Sequence, residues 1–228
     1  FSVDGTLLEA WASHKSFQPK DRGGPPAASG GRNAEVNFHG EKRSNETHES
    51  TTDPEARMAR KSKATGAKLC YAGHLLMENR SALIVDMELS RATGYAERET
   101  ALAMLQRLPG RSRRRTVAAD KGYDTRDFVG DCRALGITAH VAQNTTRQRS
   151  SIDGRTTRHQ GHAVSQRIRK RIEEPFGWIK IIAGGRKLRY IGRRRNRAWF
   201  LMAGAVYNVL RIACLLYTSP SPRDRQKS

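Results

Sequence analysis

Gln166-Arg167-Ile168-Arg169-Lys170-Arg171-Ile172-Glu173-Glu174-Pro175-Phe176-Gly177-Trp178-Ile179-Lys180 is the stretch on which the reading of this chain turns. Arg169 precedes Glu173 by four positions and Lys180 follows it by seven. An α-helix turns about 100° per residue, so both offsets return to within about 40° of the starting direction and the three side chains share a face. That face combines an acid able to hold a metal with two cations able to hold phosphate. Glu174 is the rival carboxylate, but its spacing to Lys180 is one short of the frame. Taken alone, Glu173 also has the plainer reading of a surface helical acid.

Working outward, two further carboxylates stand in segments of matching character. Asp4 lies in Phe1-Ser2-Val3-Asp4-Gly5-Thr6-Leu7-Leu8-Glu9-Ala10-Trp11-Ala12-Ser13, and Asp120 closes the short apolar run Thr116-Val117-Ala118-Ala119 before Lys121-Gly122-Tyr123-Asp124. Each could merely cap a turn, Asp4 before Gly5-Thr6 and Asp120 before Lys121-Gly122. The three acids are far apart in sequence, so only folding could bring them together. As a set they offer hard oxygen ligands and no histidine, which favours Mg²⁺, with Mn²⁺ as substitute, over zinc. Two such ions roughly 3.5 to 4 Å apart can activate a nucleophile and neutralise a leaving oxygen at a phosphodiester. Asp86, Glu88 and Asp124 are candidates for supporting acids, with structural or solvated roles as the alternative.

These three segments, in this order, resemble bacterial insertion-sequence transposases of the DDE class. The stretch from Gln166 matches the Y-x2-R-x3-E-x6-K signature of that class, with Gln166 where the family usually has Tyr. The resemblance spans roughly residues 1 to 212 and is closest to insertion-sequence family five. It implies a ribonuclease-H-like fold, an α/β mixed sheet flanked by helices, with Asp4, Asp120 and Glu173 as catalytic and metal-binding residues. It further implies DNA strand cleavage and strand transfer during transposition, with Arg169 and Lys180 holding phosphates and a homodimer as the active complex. Relatives of this kind carry an N-terminal helical DNA-binding region ahead of the first aspartate, so the chain, which opens in an apolar segment without Met, is expected to be N-terminally truncated.

Bulk composition agrees with a polyanionic partner. Among 228 residues, 42 Lys and Arg stand against 22 Asp and Glu, a formal net charge of +20. Double-stranded DNA would relieve that self-repulsion. The run Arg186 to Arg197 interleaves glycine and tyrosine with Arg186, Lys187, Arg189, Arg193, Arg194 and Arg195, a composition suited to tracking a phosphate backbone, or alternatively to simple solvation. Cys70, Cys132 and Cys214 show no C-x2-C spacing, so no disulfide framework or structural zinc site is expected. The absence of a recognisable apolar run of 18 residues or of a signal peptide leads to the expectation of no membrane and of a cytoplasmic, nucleoid-associated protein.

Along the chain, residues 18 to 66 are rich in Gly, Pro, Ser, Thr and charge and are expected to form a flexible insertion, whose Arg57, Arg60, Lys61 and Lys63, with Lys68 just after it, could face DNA. Lys68 to Met77 and Ala82 to Leu89 read as a hairpin, Glu97 to Leu108 as a helix, Thr116 to Ala119 as a strand, Thr125 to Leu135 as a helix capped by Thr125, and Ile137 to Ala142 as a strand. Helices follow at 162 to 182 and at 196 to 213. Residues 1 to 213 are expected to form one domain. Residues 214 to 228 are Pro/Ser-rich toward the end, look like translated adapter sequence, and are expected to be a non-native or disordered tail. His159 and His162 have a metal-like spacing but no further partner nearby, which favours phosphate contact or solvation over zinc. Trp11, Trp178 and Trp199 sit among apolar neighbours and read as core. Two other classes of function stay open: a truncated, non-catalytic DNA-binding remnant, and a basic structural protein associated with RNA.

Overall fold

The structure is a computed structural model, which describes residues 1–20, 43–62, 64–110, 114–145 and 149–218. Its elements in chain order are β1 (Ser2–Glu9), β2 (Phe17–Pro19), β3 (His48–Ser50), β4 (Arg57–Ala59), β5 (Lys68–Met77), β6 (Ile84–Arg91), α1 (Ala96–Gln106), β7 (Arg115–Ala119), α2 (Arg126–Ala134), β8 (Ile137–Val141), α3 (Gly154–Thr157), α4 (Gln160–Ile168), α5 (Glu173–Ile181) and α6 (Arg193–Thr218). The main sheet runs β4-β5-β1-β7-β8, with β6 paired to β5 beyond β4 on the same edge. It is mixed: β1 lies antiparallel to β5 and parallel to β7, and β7 is parallel to β8. The expected mixed α/β architecture is therefore present.

Alternation along β1 divides the core into two layers, because successive strand residues point to opposite sheet faces. Val3 joins Leu76, Val117, Ala119 and Val141 beneath Met104 of α1 and Phe128 of α2. On the other face Leu8 joins Tyr71, Leu75 and Met77 beneath Phe176 and Ile179 of α5 and Phe200 of α6. Asp4 has the parity of Leu8 and so belongs to the α5 face. Close packing of α6 on β6 depends on Gly204, where a Cβ would run into the thioether of Met87. Asn208 secures the same contact by accepting from the Ile84 amide at 2.9 Å and donating to its carbonyl at 2.8 Å.

Three expectations change. The stretch 18–66 is not structureless among its described residues. It supplies β3 and β4, and Asp53, fully buried, accepts from Tyr71 Oη at 2.7 Å and from the Gly192 amide at 3.3 Å. Scattered small polar residues hide these short strands, which are held by long-range hydrogen bonds rather than by local apolar period. Lys63 lies outside the described residues.

The helix expected over 162–182 is broken into α4, a 3-10 turn at Arg169–Ile172, and α5. Pro175 explains the break: it has no N–H and crowds the carbonyl four residues back, so it is tolerated only in the first turn of a new helix. The third change is at the end of the chain. The closing helix continues past Ala213 to Thr218, and by length and composition it is apolar enough to cross a membrane, with a mean hydropathy of 1.7 over its best window. Leu215 and Leu216 carry the apolar pattern on beyond Ala213, while Asn208 and Arg211 interrupt it, so the helix qualifies by average hydropathy and not by an unbroken apolar run. One side of α6 packs through Phe200, Ala203 and Tyr207, while Met202, Val206 and Val209 are exposed.

Candidate active site

Strand pairing brings the two aspartates together. Ser2 is opposite Ala118 across the parallel β1–β7 pair. Two residues further along both strands come Asp4 and Asp120, so the acids sit side by side, where neighbouring strands are about 4.8 Å apart. Asp120 follows the last residue of β7 and caps the 3-10 turn Lys121–Tyr123, accepting from the Gly122 amide at 2.8 Å. Asp4 accepts from the adjacent Gly5 amide at 2.8 Å. The turn-capping reading is thus correct for Asp120, whereas Asp4 stands inside the continuous strand β1, and each keeps a second carboxylate oxygen beyond that bond.

Burial pushes the Asp4 carboxyl up to about 6, and Asp120 and Glu97 add to the rise, against the Gly5 hydrogen bond and the positive charge of Arg169. Glu97 belongs to no motif in the sequence. It stands in the first turn of α1, and its Cγ and Oε1 would lie 2.9 and 3.0 Å from a Cβ placed on Gly5. Its own carboxyl is raised by burial and then by Asp120. Arg98 fixes this end of α1 by donating to the Gly122 carbonyl at 3.2 Å. A sequence signal exists: glycine inside a strand marks close approach by another group, here immediately after Asp4. Tyr123, buried beside the three acids, has its hydroxyl pKa raised first by that burial and then by Glu97, Asp4 and Asp120.

The helical segment contributes its cations to this centre. Arg169 acts on Asp4 electrostatically and donates to Gln166 Oε1 at 3.0 Å; Gln166 in turn donates to the His140 carbonyl at the end of β8. Gln166, in the place where the resembled signature has Tyr, is thus a bracket between α4 and the sheet. Lys180 donates to the hydroxyl of Thr6, the next residue on the Asp4 face of β1. Burial lowers the Lys180 pKa, and Lys61 and Arg186 lower it further, so the cations converge here.

Glu173 is not among the charges that act on Asp4. It is exposed at the junction of the 3-10 turn and α5. A 3-10 turn advances about 120° per residue rather than 100°, so four steps from Arg169 can carry Glu173 up to about 80° further round than a continuous α-helix would. Among the described residues no group of three or more His, Cys, Asp or Glu side chains is placed to hold a metal ion. Asp4 and Asp120 nevertheless suit a hard divalent cation by donor type, and such a cation would offset both the burial that raises Asp4 and the repulsion that adds to it. Glu174 points elsewhere, to Tyr207 of α6, whose hydroxyl pKa rises through burial first and then through Glu174.

Other candidates have structural partners. Asp124, buried, accepts from the Asn144 and Ser151 amides at 2.7 and 2.8 Å. Asp86 pairs with Arg107 at 2.8 Å, and Glu88 with Arg197. His159 caps α4 through its ring nitrogen and the Gly161 amide at 3.0 Å, and His162 bonds the Val141 carbonyl at 3.0 Å. Arg186, Lys187, Arg189, Arg193, Arg194 and Arg195 are all exposed, with the Arg193 amide bonded to Glu55 at 2.8 Å. Trp11 departs from the core expectation: it is 52% exposed.

A family model described as the transposase DDE domain matches residues 36–209, a span that includes Asp120, Arg169, Glu173 and Lys180 and begins after Asp4. Comparison with curated proteins returned no match. The match covers most of the chain and takes in one of the paired aspartates with the Arg-Glu-Lys segment, so the chain belongs to the transposase DDE domain family.

Proposed function

We propose that this chain is the catalytic portion of an insertion-sequence transposase akin to insertion-sequence family five, built on a ribonuclease-H-like fold, that cleaves DNA at transposon ends and joins the freed 3′-hydroxyl to target DNA. The observation that carries the reading is the side-by-side placement of Asp4 and Asp120 at the centre of a mixed sheet, with Arg169 and Lys180 drawn to the same point. Family membership supplies the transposase-type function and the general use of divalent metal ions.

In this reading Asp4, Asp120 and Glu173 hold Mg²⁺, with Mn²⁺ as substitute, and two ions would supply nucleophile activation and leaving-group neutralisation at the phosphodiester. The chain's own residues do the rest. Arg169 and Lys180 clamp phosphate oxygens beside the scissile bond, a task suited to one planar and one point-like cation. Arg186, Lys187, Arg189 and Arg193 to Arg195 hold the flanking duplex through its backbone, with no demand on sequence. A homodimer working on the nucleoid would bring two transposon ends together.

The test is nicking of a labelled DNA end in the presence and absence of Mg²⁺. Metal-dependent nicking abolished in Asp120→Asn supports the reading, while metal-independent or absent nicking by a well-folded, DNA-binding chain overturns it. A second reading, a non-catalytic DNA-binding remnant, is favoured by one observation, the exposed Glu173 outside the aspartate pair. DNA binding without any nicking would select it.

A further inference from the structure

Trp11 lies just past the end of β1, more than half exposed, and the Nζ of Lys187 sits 5.1 Å from the centre of its ring. The pairing is built rather than incidental. Glu9 donates its amide to the Arg186 carbonyl at 3.2 Å and accepts from the Leu188 amide at 2.7 Å, so the basic segment is zipped along the end of β1 as an extra parallel bridge. Leu188, fully buried, anchors it from below. Lys187 is therefore held over Trp11 by backbone hydrogen bonds on both sides of it. A large aromatic side chain in solvent has no packing reason to stay there, since burying it would gain on the order of 2 kcal/mol.

The surroundings form a line. From Asp4, β1 leads to Thr6 with Lys180 bonded to it, then to the neighbourhood where Lys61 and Arg186 press on Lys180, then to Glu9 with the bridge, and finally to Lys187 and Trp11. The distance from Asp4 to Trp11 along this direction is roughly 20 Å at about 3.3 Å per residue. Cations spaced along a line with an aromatic at its end match the recognition of a single strand, whose phosphates follow the charges and whose bases, unlike those of a duplex, expose a free face for stacking.

We propose that Trp11, with Lys187 against it, is a stacking site for an unpaired base on the DNA strand that leaves the Asp4–Asp120 centre along Lys180 and Arg186. The inference rests on the reading of this chain as a DNA-processing enzyme and adds to it a specific base-contacting residue away from the phosphate contacts. The site takes any unpaired base, because stacking makes no use of hydrogen-bonding edges.

Tryptophan fluorescence of the full chain, without metal and at low salt, tests it using an oligothymidylate and a blunt duplex of equal length. Oligothymidylate should quench the emission, and Trp11→Phe should remove most of that quench while Trp178 and Trp199 still report. Trp11→Ala should weaken oligothymidylate binding roughly 5- to 100-fold and leave duplex binding within about twofold, with Trp11→Phe in between because a smaller ring remains. Lys187→Gln should weaken both substrates, since it also removes a charge. Equal oligothymidylate affinity for Trp11→Ala and the parent chain, or equal quenching by duplex and single strand, overturns the proposal. Failure of metal-dependent nicking alongside a Trp11-dependent single-strand preference would sink the transposase reading and leave this site standing; binding to neither DNA would sink both.

Discussion

The β1–β7 pair and the segment from α4 to α5 deliver catalytic candidates with different fidelity. On the sheet, Asp4 and Asp120 are set beside each other by backbone hydrogen bonds, and burial, with the repulsion between them added to it, raises the Asp4 pKa to about 6. On the helical side, the shared face expected of Arg169, Glu173 and Lys180 is interrupted by a 3-10 turn, and two of the three reach the site while Glu173 remains in solvent. A sheet transmits register from residue to residue through its ladder. A helix transmits phase, and a phase error of one tight turn is enough to redirect a side chain.

The largest effect that could break this comparison is on cleavage. In the proposed reading Asp120→Asn and Glu173→Gln should each lower metal-dependent nicking by on the order of 10³-fold, because each removes a carboxylate that would hold a metal ion once DNA is bound. Glu174→Gln should stay within about twofold, being a surface change directed toward Tyr207. Rates measured on one labelled DNA end would decide it; an essential Glu174 with a dispensable Glu173 would undo the Arg-Glu-Lys frame.

Metal affinity without DNA sharpens the contrast. Mn²⁺ binding followed by electron paramagnetic resonance should weaken at least roughly 10-fold in Asp120→Asn, yet change less than about twofold in Glu173→Gln. Equal weakening in the two variants would mean that Glu173 already turns inward in the free chain.

A third test addresses stability at the strand pair. The native Asp4 carboxyl keeps its proton to about pH 6, whereas the unfolded chain releases it near the ordinary value of 3.8. Between these values the native state binds more protons, so stability is greatest at low pH and declines as pH rises through that window. Asp4→Asn abolishes the penalty and should stabilise the chain by up to about 3 kcal/mol at pH 7 and by nearly nothing at pH 4. Denaturant unfolding at the two pH values checks this, and a destabilised Asn variant at pH 7 would contradict a buried, repelled Asp4 carboxylate.

The smallest expected effect concerns the basic run. Changing Arg194 and Arg195 to Ala should reduce the slope of log affinity against log salt by about 0.9 for each DNA phosphate that is no longer neutralised. An unchanged slope would return these residues to solvent.

Much of this was legible in local pattern. The hairpin of β5 and β6, the helix α1, the strand ending at Asp120 and the Thr125 cap, which accepts from the Phe128 amide at 3.3 Å, all follow from period and turn chemistry. Glu97 was not legible as a site residue, because its role depends on the close approach of α1 to Gly5 rather than on any spacing to Asp4. Nor were β3 and β4, where Asp53 is held by Tyr71 and Gly192 from distant parts of the chain.

By itself, then, the amino-acid sequence determined the elements, the three carboxylates in order, and the cationic excess, since these depend on nearest neighbours and composition. Only the tertiary structure decided which acids meet. Strand register joined Asp4 to Asp120, helix packing added Glu97, and the turn imposed by Pro175 left Glu173 facing solvent, because the direction of a side chain is set by the elements packed around it and not by its spacing along the chain.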